Sequence, residues 1–169
     1  MDIFAGIMHR IAAGTKQIVG PTGDPAAAIA AGMVAGLAFV ATMETEFRVG
    51  GRRLDDLVLL GRPLAKDQHS ARRIGLAIHF FNSAGLALLY ARFADRLPGP
   101  LWFRGALFAN LENTVIYPSL SLEEYHPAVR NGEIDRYFSW RSYWQSVPRH
   151  VVYGVVVGIL YDQFRRDPS

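Results

Sequence analysis

The chain has 169 residues, of which 50% are hydrophobic and 20% are charged, and its formal net charge is +3. This composition excludes a disordered chain, because disorder requires low hydrophobicity and high net charge. The absence of cysteine excludes disulfides, thiolate catalysis and cysteine-ligated zinc or iron–sulfur centres. We therefore expect a single folded domain over residues 1–169 whose chemistry, if any, uses oxygen and imidazole groups.

The first twenty residues predict an amphipathic helix that lies on a membrane surface. Apolar side chains recur on one helical face, at Ile3, Phe4, Ile7, Met8, Ile11 and Ile18. A helix that packs on its own bundle explains the same pattern equally well. Asp2 interrupts the basic start that a cleaved signal peptide would need, so we do not expect cleavage.

Four apolar segments predict an all-α fold, a four-helix transmembrane bundle with spans at about 26–46, 74–91, 101–118 and 147–164. The 18-residue run 26–43 carries no charge and would rise about 27 Å as a helix, close to the roughly 30 Å hydrocarbon core. Asp24 and Pro25 are suited to the N-cap and first position of this helix.

The fourth segment has only 12 uncharged residues, 150–161, a length that by itself favours a buried soluble helix. Arg149 and Arg165 could extend it by snorkelling to the interface. A soluble all-helical domain is therefore the alternative fold.

The predicted loops 47–73 and 119–146 hold most of the polar sequence. In the first, DDLVLLG predicts one turn of interfacial helix, and Ser70 is expected to cap the second span. In the second, arginines alternate with aromatic residues, which beside an apolar helix indicates an interfacial aromatic belt rather than nucleic-acid binding. Segments 47–73 and 123–149 hold 11 of the 18 lysines and arginines, so the positive-inside rule places both in the cytoplasm of a bacterium, with the spans in its inner membrane.

Small residues four positions apart predict close helix–helix contacts, either within the bundle or between subunits. The two clearest pairs are Gly32 with Gly36 and Gly154 with Gly158.

Polar residues inside the predicted spans are the candidates for a functional site, because ionisable groups at that depth are costly. His79, Asn82 and Ser83 share one face of the second span. Asn110, Asn113 and Tyr117 share a face of the third, from which Glu112 points away. Counting depth from the helix ends places Glu44, His79, Glu112 and His150 toward the membrane face that bears the long loops. We expect Glu112 to accept hydrogen bonds or to pair with a histidine there.

Three interpretations of this cluster remain open. Haem b could be held between His79 and His150, or these histidines could bind a metal ion together with Glu44 and Glu112. A proton or small-solute path could follow the polar faces. The favoured interpretation is a set of interhelical hydrogen bonds that fix helix register and bind no cofactor.

The motifs LAIHFFNSAGLALLYA, FANLENTVIYP, YHPAVRNGE and RHVVYGVVVG resemble an uncharacterised group of small bacterial four-helix integral membrane proteins with no assigned activity. The resemblance covers roughly residues 55–160. It implies a membrane location and a joint importance of His79, Glu112, Asn113, His126, Pro127 and His150, but no catalytic role.

We therefore expect a small multi-pass membrane protein that is a non-catalytic accessory or assembly subunit. Its expected partners are the lipid bilayer and either further copies of itself or other membrane subunits, without nucleic acid. The alternatives are a membrane redox protein that uses haem or metal at His79 and His150, and a small transporter or proton conductor.

Overall fold

The computed structural model describes residues 14–15, 23–50 and 52–166. Within these residues every regular element is helical. The longer helices are α1 (Pro25–Arg48), α3 (Gln68–Phe93), α4 (Leu101–Ile116) and α6 (Trp140–Arg166), and the short ones are α2 (Asp56–Gly61) and α5 (Pro127–Arg130). Two 3-10 helices, Arg62–Leu64 and Tyr117–Tyr125, complete the described elements. The interfacial helix predicted over 1–20 lies outside the described residues, apart from Gly14 and Thr15.

The four long helices pack in the order α3, α1, α6, α4. Helix α1 contacts both α3 and α6, and α4 packs along α6. Helices α3 and α4 make no extended contact with each other. The core between the helices is rich in alanine and tyrosine, including Ala31, Ala35, Tyr90, Tyr153 and Tyr161. This open arrangement leaves a gap between α3 and α4, which is where the candidate site lies.

Helices α1 and α3 are long and apolar enough to cross a membrane, judged by length and composition. The predicted cap of α1 is confirmed, because the Asp24 carboxylate accepts hydrogen bonds from the backbone N–H groups of Ala26 (2.9 Å) and Ala27 (3.1 Å), with Pro25 at the first helical position. The predicted cap of the second span is wrong. Helix α3 begins at Gln68, and Asp67 caps it by accepting from the Ser70 N–H at 2.9 Å.

Two further boundaries differ from the prediction. Helix α4 ends at Ile116 rather than 118, because Pro118 lacks the N–H that would continue the α-helix, and the chain tightens into a 3-10 helix. Helix α6 begins at Trp140 rather than 147 and continues through Pro148. Its start is stabilised by Ser139, whose hydroxyl oxygen accepts from the Ser142 N–H at 3.2 Å.

The two predicted loops pack together at one end of the helices as a second small core. Leu54 and Val58 from the first segment contact Ala128, Ile134 and Tyr137 from the second. Helix α2 is therefore buried rather than an exposed interfacial turn, with Leu57 and Val58 at 3% and 0% exposure. We name this end of the bundle, residues 52–67 and 117–139, the cap end.

Candidate functional site

A groove of about 600 Å³ runs between α3 and α4. Because α1 and α6 lie between those two helices, their side chains form its floor: Phe39, His150 and Tyr153. The cap end closes the groove with α2, Leu120 and Tyr137, and the lining is mostly apolar. Four of the polar residues predicted to meet, His79, Asn82, Glu112 and Asn113, line the walls and face the same space as His150.

The two histidines lie close together, each anchored to a backbone carbonyl. His79 Nε2 is 3.0 Å from the Gly36 oxygen, and His150 Nδ1 is 2.8 Å from the Ser146 oxygen. Since a carbonyl only accepts, these nitrogens carry the proton, and in the neutral rings His79 Nδ1 and His150 Nε2 are acceptors. The centroid of the Phe39 ring lies 5.0 Å from that of His79 and 5.1 Å from that of His150. The two imidazole centroids are therefore at most 10.1 Å apart, the sum of these distances.

Glu112 differs from the histidines of the site, because its carboxylate has no partner among the described residues. Its side chain is half-buried, and within the described residues it makes no hydrogen bond and no ion pair. The expectation that Glu112 pairs with a histidine is therefore wrong in this structure. Each histidine donates its N–H group to a backbone carbonyl, so neither neutral imidazole has a second N–H to donate to the carboxylate.

The remaining residues of the predicted polar cluster have separate roles. Asn113 donates through Nδ2 to the Ser146 hydroxyl at 3.0 Å and so links α4 to α6. Ser83 is buried beside Gly36, and its carbonyl accepts from the Tyr153 hydroxyl at 2.7 Å.

Two members lie away from the centre of the groove. Asn110 turns back onto its own helix, where Nδ2 donates to the Ala106 carbonyl at 2.8 Å. Tyr117 belongs to the cap end, where its hydroxyl donates to the Tyr137 carbonyl at 2.6 Å.

Glu44 is not part of the site. Its carboxylate pairs with Arg72, whose guanidinium also lies 3.6 Å from Asp55. Within residues 14–15, 23–50 and 52–166, no group of three or more histidine, aspartate or glutamate side chains is arranged to hold a metal ion. The predicted metal set of His79, His150, Glu44 and Glu112 is therefore not assembled, because an ion pair holds Glu44 elsewhere.

The four glycines predicted at helix contacts lie at contacts within the chain. A Cβ on Gly32 would be 2.6 Å from Ala87 Cβ, and one on Gly36 would be 2.6 Å from Ser83 Oγ, so both face α3. Cβ atoms on Gly154 and Gly158 would collide with the α4 backbone at Gly105 and Leu101.

A buried ion-pair network behind the groove was missed by the sequence analysis. Arg149, expected to snorkel, is fully buried and pairs with Asp56 at 2.9 Å and with Glu46, and it also donates to the Leu54 carbonyl at 3.0 Å. The Tyr137 hydroxyl donates to the other Asp56 oxygen at 2.9 Å, and burial raises the pKa of Tyr137 well above its usual value. The signal available beforehand was an arginine beside an apolar run together with the acidic pair Asp55 and Asp56.

Comparisons with known proteins identify no relative. No protein-family model matches the sequence, no curated protein matches it, and no solved structure matches the chain. The groove between α3 and α4, with the unpaired Glu112 and two anchored histidines, is accordingly the feature from which a function can be inferred.

Proposed function

We propose that this chain is a four-span protein of the bacterial inner membrane that acts as a non-catalytic accessory subunit, by binding a ligand with a large apolar portion in the groove between α3 and α4. The single observation that carries the proposal is the groove itself. Apart from the ring contact between Tyr90 and Phe108, α3 and α4 make few contacts with each other, and they leave about 600 Å³ of mostly apolar space between them. Sites that hold small molecules are typically apolar concavities of this size with a few polar groups.

The outer surface of the bundle supports a membrane location for all four long helices. Large apolar side chains are exposed on each of them, including Leu37 on α1, Phe93 on α3, Val115 on α4 and Val151 on α6, at 60%, 39%, 78% and 37% exposure. Contiguous apolar surface of this kind is unfavourable in water and favourable in lipid.

Charged and aromatic residues mark the two ends of this apolar surface. Arg149 belongs to the network at the cap end, and Arg165 pairs with Asp95 (3.0 Å) and Asp162 (2.9 Å) at the other end. From Arg149 to Arg165, a separation of 16 positions, α6 rises about 24 Å, somewhat less than the hydrocarbon thickness. Trp140 and Trp144 are exposed at the cap end, as expected of residues at a membrane interface. By the positive-inside rule the cap end faces the cytoplasm.

The geometry favours binding over catalysis. Ser83 Oγ lies 3.5 Å from His79 Nε2, but that nitrogen already donates to Gly36, so it has no lone pair with which to activate the hydroxyl. A haem ligated by His79 and His150 would have to displace the Phe39 ring, which packs against both imidazoles.

Two measurements test the proposal. Washed membranes should retain the protein until detergent is added, with residues 26–43 protected from protease. In phosphatidylcholine nanodiscs, a neutral lipophilic fluorophore should bind saturably. Gly85→Trp should abolish this binding, because Gly85 lines the groove and, in the part of the chain that the structure describes, its Cβ position faces open space.

The matched control is Leu37→Trp, which adds the same bulk to the outer face of α1 and should leave binding unchanged. A monodisperse monomer in plain buffer would contradict the membrane assignment. Equal binding by Gly85→Trp and the parent protein would contradict the groove as the site.

A further inference from the structure

Polarity changes along the groove. At the cap end its lining includes Asn113, Ser142 and Ser146, with Glu112 one residue before Asn113 on α4. Toward the other end the lining on α3 is Gly85, Leu86 and Leu89. From His79 to Leu89 the helix rises about 15 Å, the length of a chain of roughly a dozen carbons. The groove therefore has the shape and polarity of a site for a molecule with one polar head and one apolar chain.

The polar head of such a molecule would lie mainly beside hydrogen-bond acceptors. The hydroxyl donors of the lining tyrosines are already used, since Tyr153 donates to Ser83, Tyr137 to Asp56 and Tyr117 to a backbone carbonyl. The free acceptors include the Glu112 carboxylate, one nitrogen of His79 and one of His150. Asn113 uses one N–H on Ser146 and keeps the other. Asn82 at the exposed rim keeps both a donor and an acceptor.

The charge of the lining is negative. Among the residues that the structure describes, the lining holds the acidic Asp56 and Glu112 and neither lysine nor arginine. Asp56 is compensated by Arg149, which lies behind the groove at 2.9 Å. Glu112 is therefore the one charge in the lining without a counter-ion within the described residues.

We infer that the groove binds a single-chain amphiphile whose head is a protonated primary amine, with the ammonium at Glu112 and the alkyl chain along Leu86 and Leu89. The inference rests on the proposed binding function of the groove. An ammonium group supplies the positive charge that Glu112 lacks and up to three N–H donors for the nearby acceptors. A phospholipid is a poorer occupant, because the described part of the lining holds no cation to pair with its phosphate.

The test uses isothermal titration calorimetry on the full chain in phosphatidylcholine nanodiscs, with empty nanodiscs subtracted. Four ten-carbon probes are compared: decylammonium, decyltrimethylammonium, decanol and decanoate. We expect decylammonium to bind at least about tenfold more tightly than each of the other three, because it alone has a cationic head that can donate hydrogen bonds to the Glu112 carboxylate. Glu112→Gln should remove that preference, and the matched control Glu124→Gln, an exposed carboxylate outside the groove, should keep it.

Several outcomes would overturn the inference. Equal affinities for decanol and decylammonium would mean that the groove does not recognise the charge of the head. A higher affinity for decyltrimethylammonium than for decylammonium would mean that it does not recognise the N–H donors of the head. Competition by phosphatidylethanolamine added to the nanodiscs would identify a lipid occupant instead. A preference that survives Glu112→Gln would place the ammonium elsewhere. If the neutral fluorophore still binds in any of these cases, the groove remains a binding site and only the ligand class is rejected.

Discussion

Arg149 and Asp56 form a 2.9 Å ion pair that joins α6 to the start of α2, across 93 residues of sequence. The same guanidinium pairs with Glu46 near the end of α1, so the Arg149 side chain links α6 to both α1 and α2. A buried cation is tolerated only where opposite charges and hydrogen bonds replace its water, and here two carboxylates and the Leu54 carbonyl do so.

Replacing Arg149 with methionine should lower the free energy of unfolding by about 3–5 kcal/mol, because it leaves Glu46 and Asp56 without their cation. The measurement is thermal unfolding in a mild detergent. Arg141→Met, at an exposed position of the same helix, is the control and should melt like the parent protein. If both variants melt together with the parent, the network does not stabilise the cap end.

The glycine contacts give a second prediction. Gly154→Ala should cost about 1–3 kcal/mol, because the added Cβ collides with the backbone of Gly105 and forces α6 away from α4. Gly85→Ala is the matched change, since no described residue has an atom within 4 Å of its Cβ position, and the better helix propensity of alanine should add up to about 1 kcal/mol. Opposite shifts in melting temperature are expected, and equal shifts would rule out a close contact at Gly154.

Glu112 should behave unlike an ordinary structural carboxylate. In ligand-free detergent, both Glu112→Gln and Glu112→Leu should raise the free energy of unfolding by about 1 kcal/mol, because each removes a half-buried charge that has no partner in the described structure. Substitution of Glu112 would then increase the stability of the protein and weaken ligand binding. This combination is typical of a functional group that destabilises the folded state. A drop in melting temperature for both variants would point instead to a stabilising partner for the carboxylate.

A fourth prediction concerns pH and His126. Its Nε2 donates to the Leu59 carbonyl at 2.9 Å, and its Nδ1 accepts from the Ala128 N–H at 3.3 Å, a pattern that only the neutral ring can satisfy. Burial lowers the pKa of His126 below its usual 6.5. The unfolded chain therefore takes up the proton first on acidification, so stability should fall as pH decreases below about 6.5.

The comparison is the change in melting temperature between pH 7.5 and pH 5.5. His126→Gln should show a smaller decrease than the parent protein, because the amide can donate to Leu59 but does not titrate. His69→Gln, at an exposed histidine near the start of α3, should keep the full decrease. An unchanged pH dependence in His126→Gln would assign the effect to other groups.

Local features of the sequence were sufficient to predict the four long helices and part of the site. An uncharged 18-residue run and the pair Asp24–Pro25 are local signals, since a helix and its cap depend on neighbouring residues. Counting depth along consecutive antiparallel helices also placed His79, Glu112 and His150 at one level, and these residues line one groove. The start of α6 was missed because the predicted bound followed the apolar run, whereas Ser139 caps the helix within the polar and aromatic segment that precedes that run.

The tertiary structure decided which of these polar groups found partners. Glu44 and Glu46 are two residues apart, yet one pairs with Arg72 and the other with the buried Arg149, according to which helix packs beside each. Glu112, equally acidic, faces a gap because α3 and α4 do not close on each other. Local periodicity predicts which helix a residue belongs to and how far along that helix it lies. Its partner depends on how helices distant in sequence pack together, and no short window of the sequence contains that information.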